Sequence, residues 1–136
     1  MDRFGSVLSG NKIQHNKPVV GRIDESGRVL LPISIIASDG FELEVETLVN
    51  LEFAGALVLP EALAASIGWR CLGARRIIVG VETRIVRHFI GLACLGGEPS
   101  TIVALGGLRD QPIIGQKLLS GRKLMVDFGN GQVLLD

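Results

Sequence analysis

Leu48-Val49-Asn50-Leu51-Glu52-Phe53-Ala54-Gly55-Ala56-Leu57-Val58-Leu59-Pro60 is the stretch on which the fold turns. An apolar approach at Leu48-Val49 breaks at Asn50-Leu51-Glu52, passes the small residues Ala54-Gly55-Ala56, and becomes an apolar run that stops at Pro60. Upstream, Phe41, Leu43 and Val45 alternate with Glu42, Glu44 and Glu46, which predicts a strand with its apolar side inward and its glutamates in water. That strand runs directly into Val49-Asn50. Downstream, Pro60 to Gly68 reads as a short helix, with Pro first, Glu61 in the positive first turn and Gly just past the end.

The rest of the chain is mostly extended. Gly21 to Arg28 places a turn cluster between two extended pieces. Leu31, Ile33 and Ile35 then alternate with Pro32 and Ser34, a strand in which Pro32 predicts an edge or strand-start position. Ser38-Asp39-Gly40 supplies a hairpin turn before Phe41. Two β-branched strands are expected over about 75–81 and 83–95, folding back near Gly80-Val81-Glu82. Gly96-Gly97-Glu98-Pro99 ends the second, and Thr101–Leu105 starts a buried strand. Pro112-Ile113-Ile114-Gly115 leads into a single helical turn through Leu119. Leu124, Val126 and Phe128 alternate next, Asn130-Gly131 signals a type I′ hairpin, and Val133-Leu134-Leu135 closes the chain. Strands without βαβ alternation predict a small all-β barrel.

With 136 residues and 14.5 kDa, the chain is one domain that buries roughly two-thirds of its unfolded surface. Residues 1–17 are polar and without period and read as a flexible arm, leaving 18–136 as the folded domain. The apolar fraction is 47% and the mean hydropathy +0.41, yet no apolar run approaches the ~20 residues that cross a bilayer. The excess fits apolar surface hidden in a partner, first of all a second copy, although a dense core would account for it too.

Net charge is zero and the basic residues are scattered as Arg75-Arg76, Arg84 with Arg87, and Arg122-Lys123. One Trp, no Tyr and five Phe offer little to stack on bases, so no nucleic-acid partner is expected, and no membrane. Met1-Asp2-Arg3-Phe4-Gly5 lacks the apolar core of a signal peptide, and a cytoplasmic location is expected. Cys71 and Cys94 lie far apart among apolar residues and are expected as buried free thiols. His15 sits in the polar leader and His88 in a strand; with no CxxC and no clustered ligands, neither metal nor other cofactor is expected.

Four segments, in order, resemble the retropepsin-like (retroviral-type) aspartic proteases, in particular their microbial single-domain branch. Gly21 to Ile33 is similar to the opening strand pair, and Leu48 to Pro60 to the first active-site loop. Arg75-Arg76 with the Val79-Gly80-Val81 turn looks like the flap hairpin. Pro112 to Gly115, Leu118-Leu119 and Val126 to Gly131 resemble the closing loop, short helix and final hairpin. The resemblance implies half of a pepsin: a closed acid-protease-type barrel with one or two short helices. It also implies a homodimer in which each copy donates one Asp to a shared dyad, in a peptide-binding cleft under the flaps. Ala54, Gly55, Val79, Gly80, Val81, Ile113, Ile114 and Gly115 are then the substrate-binding positions.

The departure lies at the catalytic positions. Where the family reads Asp-Thr/Ser-Gly, this chain has Asn50, Leu51 and Glu52. The reaction needs two close carboxylates sharing one proton, and the Asn50 amide has nearly the same shape but takes no proton from water. General acid–base catalysis is typically worth ~10²–10⁴ for one group. Leu51 replaces a hydroxyl that cross-bonds the two loops in the family, and Glu52 replaces a Gly that lets the backbone approach substrate. The leading expectation is therefore a catalytically degenerate homodimer. Two alternatives stand beside it: an active or weakly active aspartic-type peptidase using Glu52 or an Asp from a partner subunit, and a purely structural or interaction module. Asp127 is expected in the final hairpin as a solvent-facing or locally bonded carboxylate.

Overall fold

Ten strands and two short helices follow one another over residues 17–136, the part of the chain that the computed structural model describes. The expected arm over 1–17 lies outside the described residues, except for Lys17. The strands are β1 (Val19–Ile23), β2 (Val29–Ile36), β3 (Glu42–Val49), β4 (Leu57–Leu59), β5 (Arg70–Val79), β6 (Glu82–Cys94), β7 (Ser100–Gly106), β8 (Ile113–Ile114), β9 (Leu124–Asp127) and β10 (Gln132–Leu135). The helices are α1 (Glu61–Ser66) after β4 and α2 (Gln116–Leu119) after β8.

All ten strands join one sheet in the order β9-β10-β1-β2-β3-β8-β4-β7-β6-β5, and a further pairing of β2 with β6 closes it. The closure makes β2, β3, β8, β4, β7 and β6 a ring, so the predicted closed barrel is present. The β9-β10-β1 wing leaves the ring at one end of β2, where Arg22 pairs with Leu30 and Ile23 with Val29. β6 takes over at the other end, from Ser34 opposite Cys94 to Ile36 opposite Leu92. Pro32 sits between these two neighbours, in mid-strand and opposite Glu46, rather than at the predicted edge. The change of partner explains how a residue without an N–H is tolerated there.

The alternation in β2 puts Leu31, Ile33 and Ile35 fully in the core. β4 has neighbours on both sides and is buried throughout, which is why Leu57-Val58-Leu59 is apolar without alternation. Trp69 caps one end of the barrel. It is 5% exposed, its indole N–H donates to the Ile36 carbonyl at 2.8 Å, and its ring lies where a side chain at Gly91 would project. α1 forms as predicted, with Pro60 just ahead of it and Gly68 at φ +78° behind.

Several local expectations are corrected. Phe41 and Phe128 are exposed, at 66% and 68%, because each lies one residue outside its strand. β5 begins at Arg70, not near Arg75, and a bulge between Cys71 and Gly73 carries it past a stretch with no apolar alternation. Cys71, on this outer strand, is exposed rather than buried, and Cys94 is half-buried. β7 is buried only on alternate residues: Ile102, Ala104 and Gly106 face the core while Thr101 and Val103 do not. The last turn spans residues 128–131, since Asp127 pairs with Gln132. Asp127 is locally bonded, as expected, and organises that turn. Its Oδ1 accepts the backbone N–H groups of Gly129 (3.0 Å) and Asn130 (3.1 Å), and its Oδ2 accepts the Asn130 side-chain amide at 2.9 Å.

Candidate functional site

The quoted stretch becomes a loop strung between β3 and β4, and β8 lies between those two strands. β8 runs parallel to β3, with Leu48 opposite Ile113 and Val49 opposite Ile114, and antiparallel to β4, with Leu57 opposite Ile114. Backbone bonds pin the loop to the segment after β8. Asn50 N–H donates to the Ile114 carbonyl (3.0 Å), Gly115 N–H to Ala56 (3.0 Å), Gln116 N–H to Phe53 (2.8 Å) and Lys117 N–H to Gly55 (3.1 Å). The Gln116 side-chain amide also donates to the Leu51 carbonyl. Two loops distant in sequence are thereby held as one rigid corner.

Close approach at this corner requires glycine at two places. A Cβ on Gly115 would stand 2.5 Å from Phe53 Cδ2, and one on Gly55 would stand 2.6 Å from Phe53 Cζ. The Phe53 ring therefore packs against both bare backbones. Ile113 and Ile114, at 7% and 0% exposure, lie beneath the loop and brace it.

Asn50 is half-buried at the end of β3, and its side-chain oxygen accepts the backbone N–H of Glu52 at 3.0 Å. Phe53 N–H donates to the Asn50 carbonyl at 3.2 Å, closing the turn. Leu51, at 59%, and Glu52 are exposed. The arrangement offers an amide, an isobutyl group and one solvated carboxylate. The amide can position a hydrogen-bonding group, but it cannot act as a proton acceptor from water.

Beside the loop lies a cavity of about 650 Å³. Phe53, Ala54 and Gly55 form one wall, Val103 and Leu105 of β7 another, and Leu118 of α2 closes it. Its charged lining residues are Arg75, from β5, and Lys117, from α2. The β5–β6 hairpin stands out from the barrel and turns at Gly80, with φ +65°. Val79 is half-buried there, whereas Ile78 (77%) and Val81 (102%) are exposed. The hairpin is tied down by Arg84, whose guanidinium donates to the Leu108 carbonyl at 3.3 Å, and by Arg87, which meets Glu61 of α1 at 3.0 Å.

Of the residues singled out from the sequence, Ala54 and Gly55 line this cavity. Asn50, Leu51 and Glu52 lie in the same loop, Ile113, Ile114 and Gly115 are hydrogen-bonded to β3, β4 and the loop between them, and Val79, Gly80 and Val81 form the hairpin tip. Sequence reasoning missed Phe53, Arg75, Lys117 and the outward side of β7. The alternation of Thr101, Val103 and Leu105 with buried neighbours was the available signal for β7. Nothing in the sequence joins Arg75 to Lys117.

Comparison with solved structures finds the crystal structure of a retropepsin-like aspartic protease from Rickettsia conorii. The two are similar with a TM-score of 0.62 over 93% of this chain and 96% of that one, at 14% sequence identity. No protein-family model and no curated protein matches the sequence. The fold is thus that of the retropepsin-like aspartic proteases: a mostly-strand barrel with two short helices.

Proposed function

We propose that this chain is a catalytically silent protein of retropepsin-like fold, which pairs with a second copy and holds an extended peptide in the cleft beside residues 50–56. One observation carries the reading. The loop that joins β3 to β4 in this fold presents the amide of Asn50, bonded within its own turn, where the resemblance expects an aspartate. A pair of such loops across a two-fold axis would contribute two amides and no shared proton, which leaves nothing to activate water. Three features support the binding reading: a braced loop, a largely apolar cavity and a hairpin whose strands can align an extended backbone. Exposed Leu51, Ile78 and Val81 supply apolar surface for pairing with a second copy.

The test combines mass and activity. Light scattering behind size exclusion is expected to give twice 14.5 kDa at micromolar concentration, and a monomer would remove the pairing. An unstructured protein incubated with the wild-type chain between about pH 3 and pH 7 is expected to stay intact. Cleavage that disappears in Glu52→Gln would overturn the silent reading.

A further inference from the structure

We infer that the cleft is built for an acidic extended peptide, one that places a carboxylate between Arg75 and Lys117 and apolar neighbours in the cavity below. The inference rests on the peptide-binding reading above and names the chemistry of its ligand. Two separate observations carry it.

The first is the cavity itself. Its walls are apolar around Phe53, Val103 and Leu118, and the charged side chains lining it, Arg75 and Lys117, are both cationic. Among the described residues neither of them has a carboxylate within ion-pair distance. Arg75 is set on the inner side of the hairpin by register. It pairs with Val86, which is 1% exposed, whereas its neighbour Arg76 pairs with Ile85, which is 52% exposed. Paired residues share a face, so Arg75 is turned toward the body of the molecule and Arg76 away from it. The outer arginine faces water; the inner one overlooks apolar walls and, among the described residues, has no carboxylate partner.

The second observation is the charge of the whole hairpin. Between Arg70 and Cys94 there are five arginines and one glutamate, hence a net charge of +4 in a chain whose total is zero. Two of the five are occupied within the fold, Arg84 by Glu82 and Arg87 by Glu61. Among the described residues Arg70, Arg75 and Arg76 have no carboxylate partner and are left to attract a ligand of opposite sign, and an extended acidic segment approaching β5 meets that field before it meets the cavity.

The experiment uses the full chain and two pools of fluorescein-labelled octapeptides built from Ala, Ser, Val and Leu. One pool has Glu at two fixed positions and the other has Gln there. Anisotropy at low salt is expected to show the Glu pool binding about fivefold tighter, roughly what two exposed ion pairs supply. The ratio is expected to shrink at about 0.5 M salt, where the Debye length falls to a few ångströms. It is also expected to approach one in the double variant Arg75→Gln/Lys117→Gln. Equal binding of both pools by the wild type would overturn the acidic preference while leaving a peptide groove. Failure of both pools to bind would overturn the groove as well. A Glu preference that survives in the double variant would move recognition away from this cavity and overturn the assignment. So would a labelled oligothymidylate that binds more tightly than the Glu pool.

Discussion

Asn50 receives the backbone N–H of Glu52 on its side-chain oxygen at 3.0 Å, a bond that an aspartate at the same place would accept more strongly. Asn50→Asp alone is therefore expected to fold with stability within about 0.5 kcal/mol of the wild type and to gain no cleavage. The triple variant Asn50→Asp/Leu51→Thr/Glu52→Gly restores acid, hydroxyl and clearance together. It is expected to cleave an unstructured protein under acidic conditions on the order of 10²-fold above the wild-type background. A triple variant that is folded and dimeric yet inert would mean that the cleft has departed from working geometry elsewhere.

Thr47 is the buried polar residue of the described core, and its hydroxyl donates to the Leu31 carbonyl at 2.7 Å. Thr47→Val keeps the shape and deletes the donor, so urea unfolding is expected to show a loss of about 1 kcal/mol. An unchanged midpoint would mean that this bond adds nothing net to the β2–β3 pair.

Gly91→Ala drives a methyl into the Trp69 ring. Overpacking of this kind costs typically ~1–3 kcal/mol, and the single tryptophan reports it directly. A shifted emission maximum and a lower thermal midpoint are expected together. If emission and midpoint both stay at wild-type values, the proposed cap over β6 is wrong.

Acid sensitivity follows from three carboxylates held below their ordinary range. Glu46 is lowered chiefly by its hydrogen bonds from Arg22, both 2.7 Å long; Asp24 by the Arg28 backbone N–H; and Asp127 by the Asn130 side chain and backbone. A carboxyl group with a depressed folded value contributes stability above its unfolded value and loses it as pH falls through the folded one. The ordinary values are 4.5 for Glu and 3.8 for Asp, so the loss is expected below those values and not between pH 5 and 7. Urea midpoints across that acid range should fall less steeply in Glu46→Gln than in the wild type, and parallel curves would remove Glu46 from the account.

How much of this was legible in the sequence depended on whether local pattern and tertiary environment agreed. β2 and β3 were legible because one face is buried and the other wet, and the closing Pro112–Leu119 segment because Pro, Gly and two isoleucines leave few alternatives. Phe41 and Phe128 misled because an alternating pattern does not reveal which residue is the last one inside. The start of β5 was invisible because Arg70–Ala74 has water on both sides and no need of apolar residues. Asn50, Leu51 and Glu52 were singled out through their frame, the residues on either side of them. The placing of Arg75 and Lys117 on one cavity depends on hairpin register and on the short turn after Gly115, neither of which any local signal encodes.

The described sheet ends on one side at β5, ten residues long and hydrogen-bonded only to β6. A strand rim of that length is a template on which further chains can stack into fibres. Guanidinium groups at Arg70, Arg75 and Arg76 on this strand disfavour stacking of another rim of the same kind, while Leu72 and Ile78 lie uncovered beside them. Replacing those three arginines with threonine should turn the rim from self-avoiding to self-templating, visible as light scattering and dye-binding filaments that grow with time.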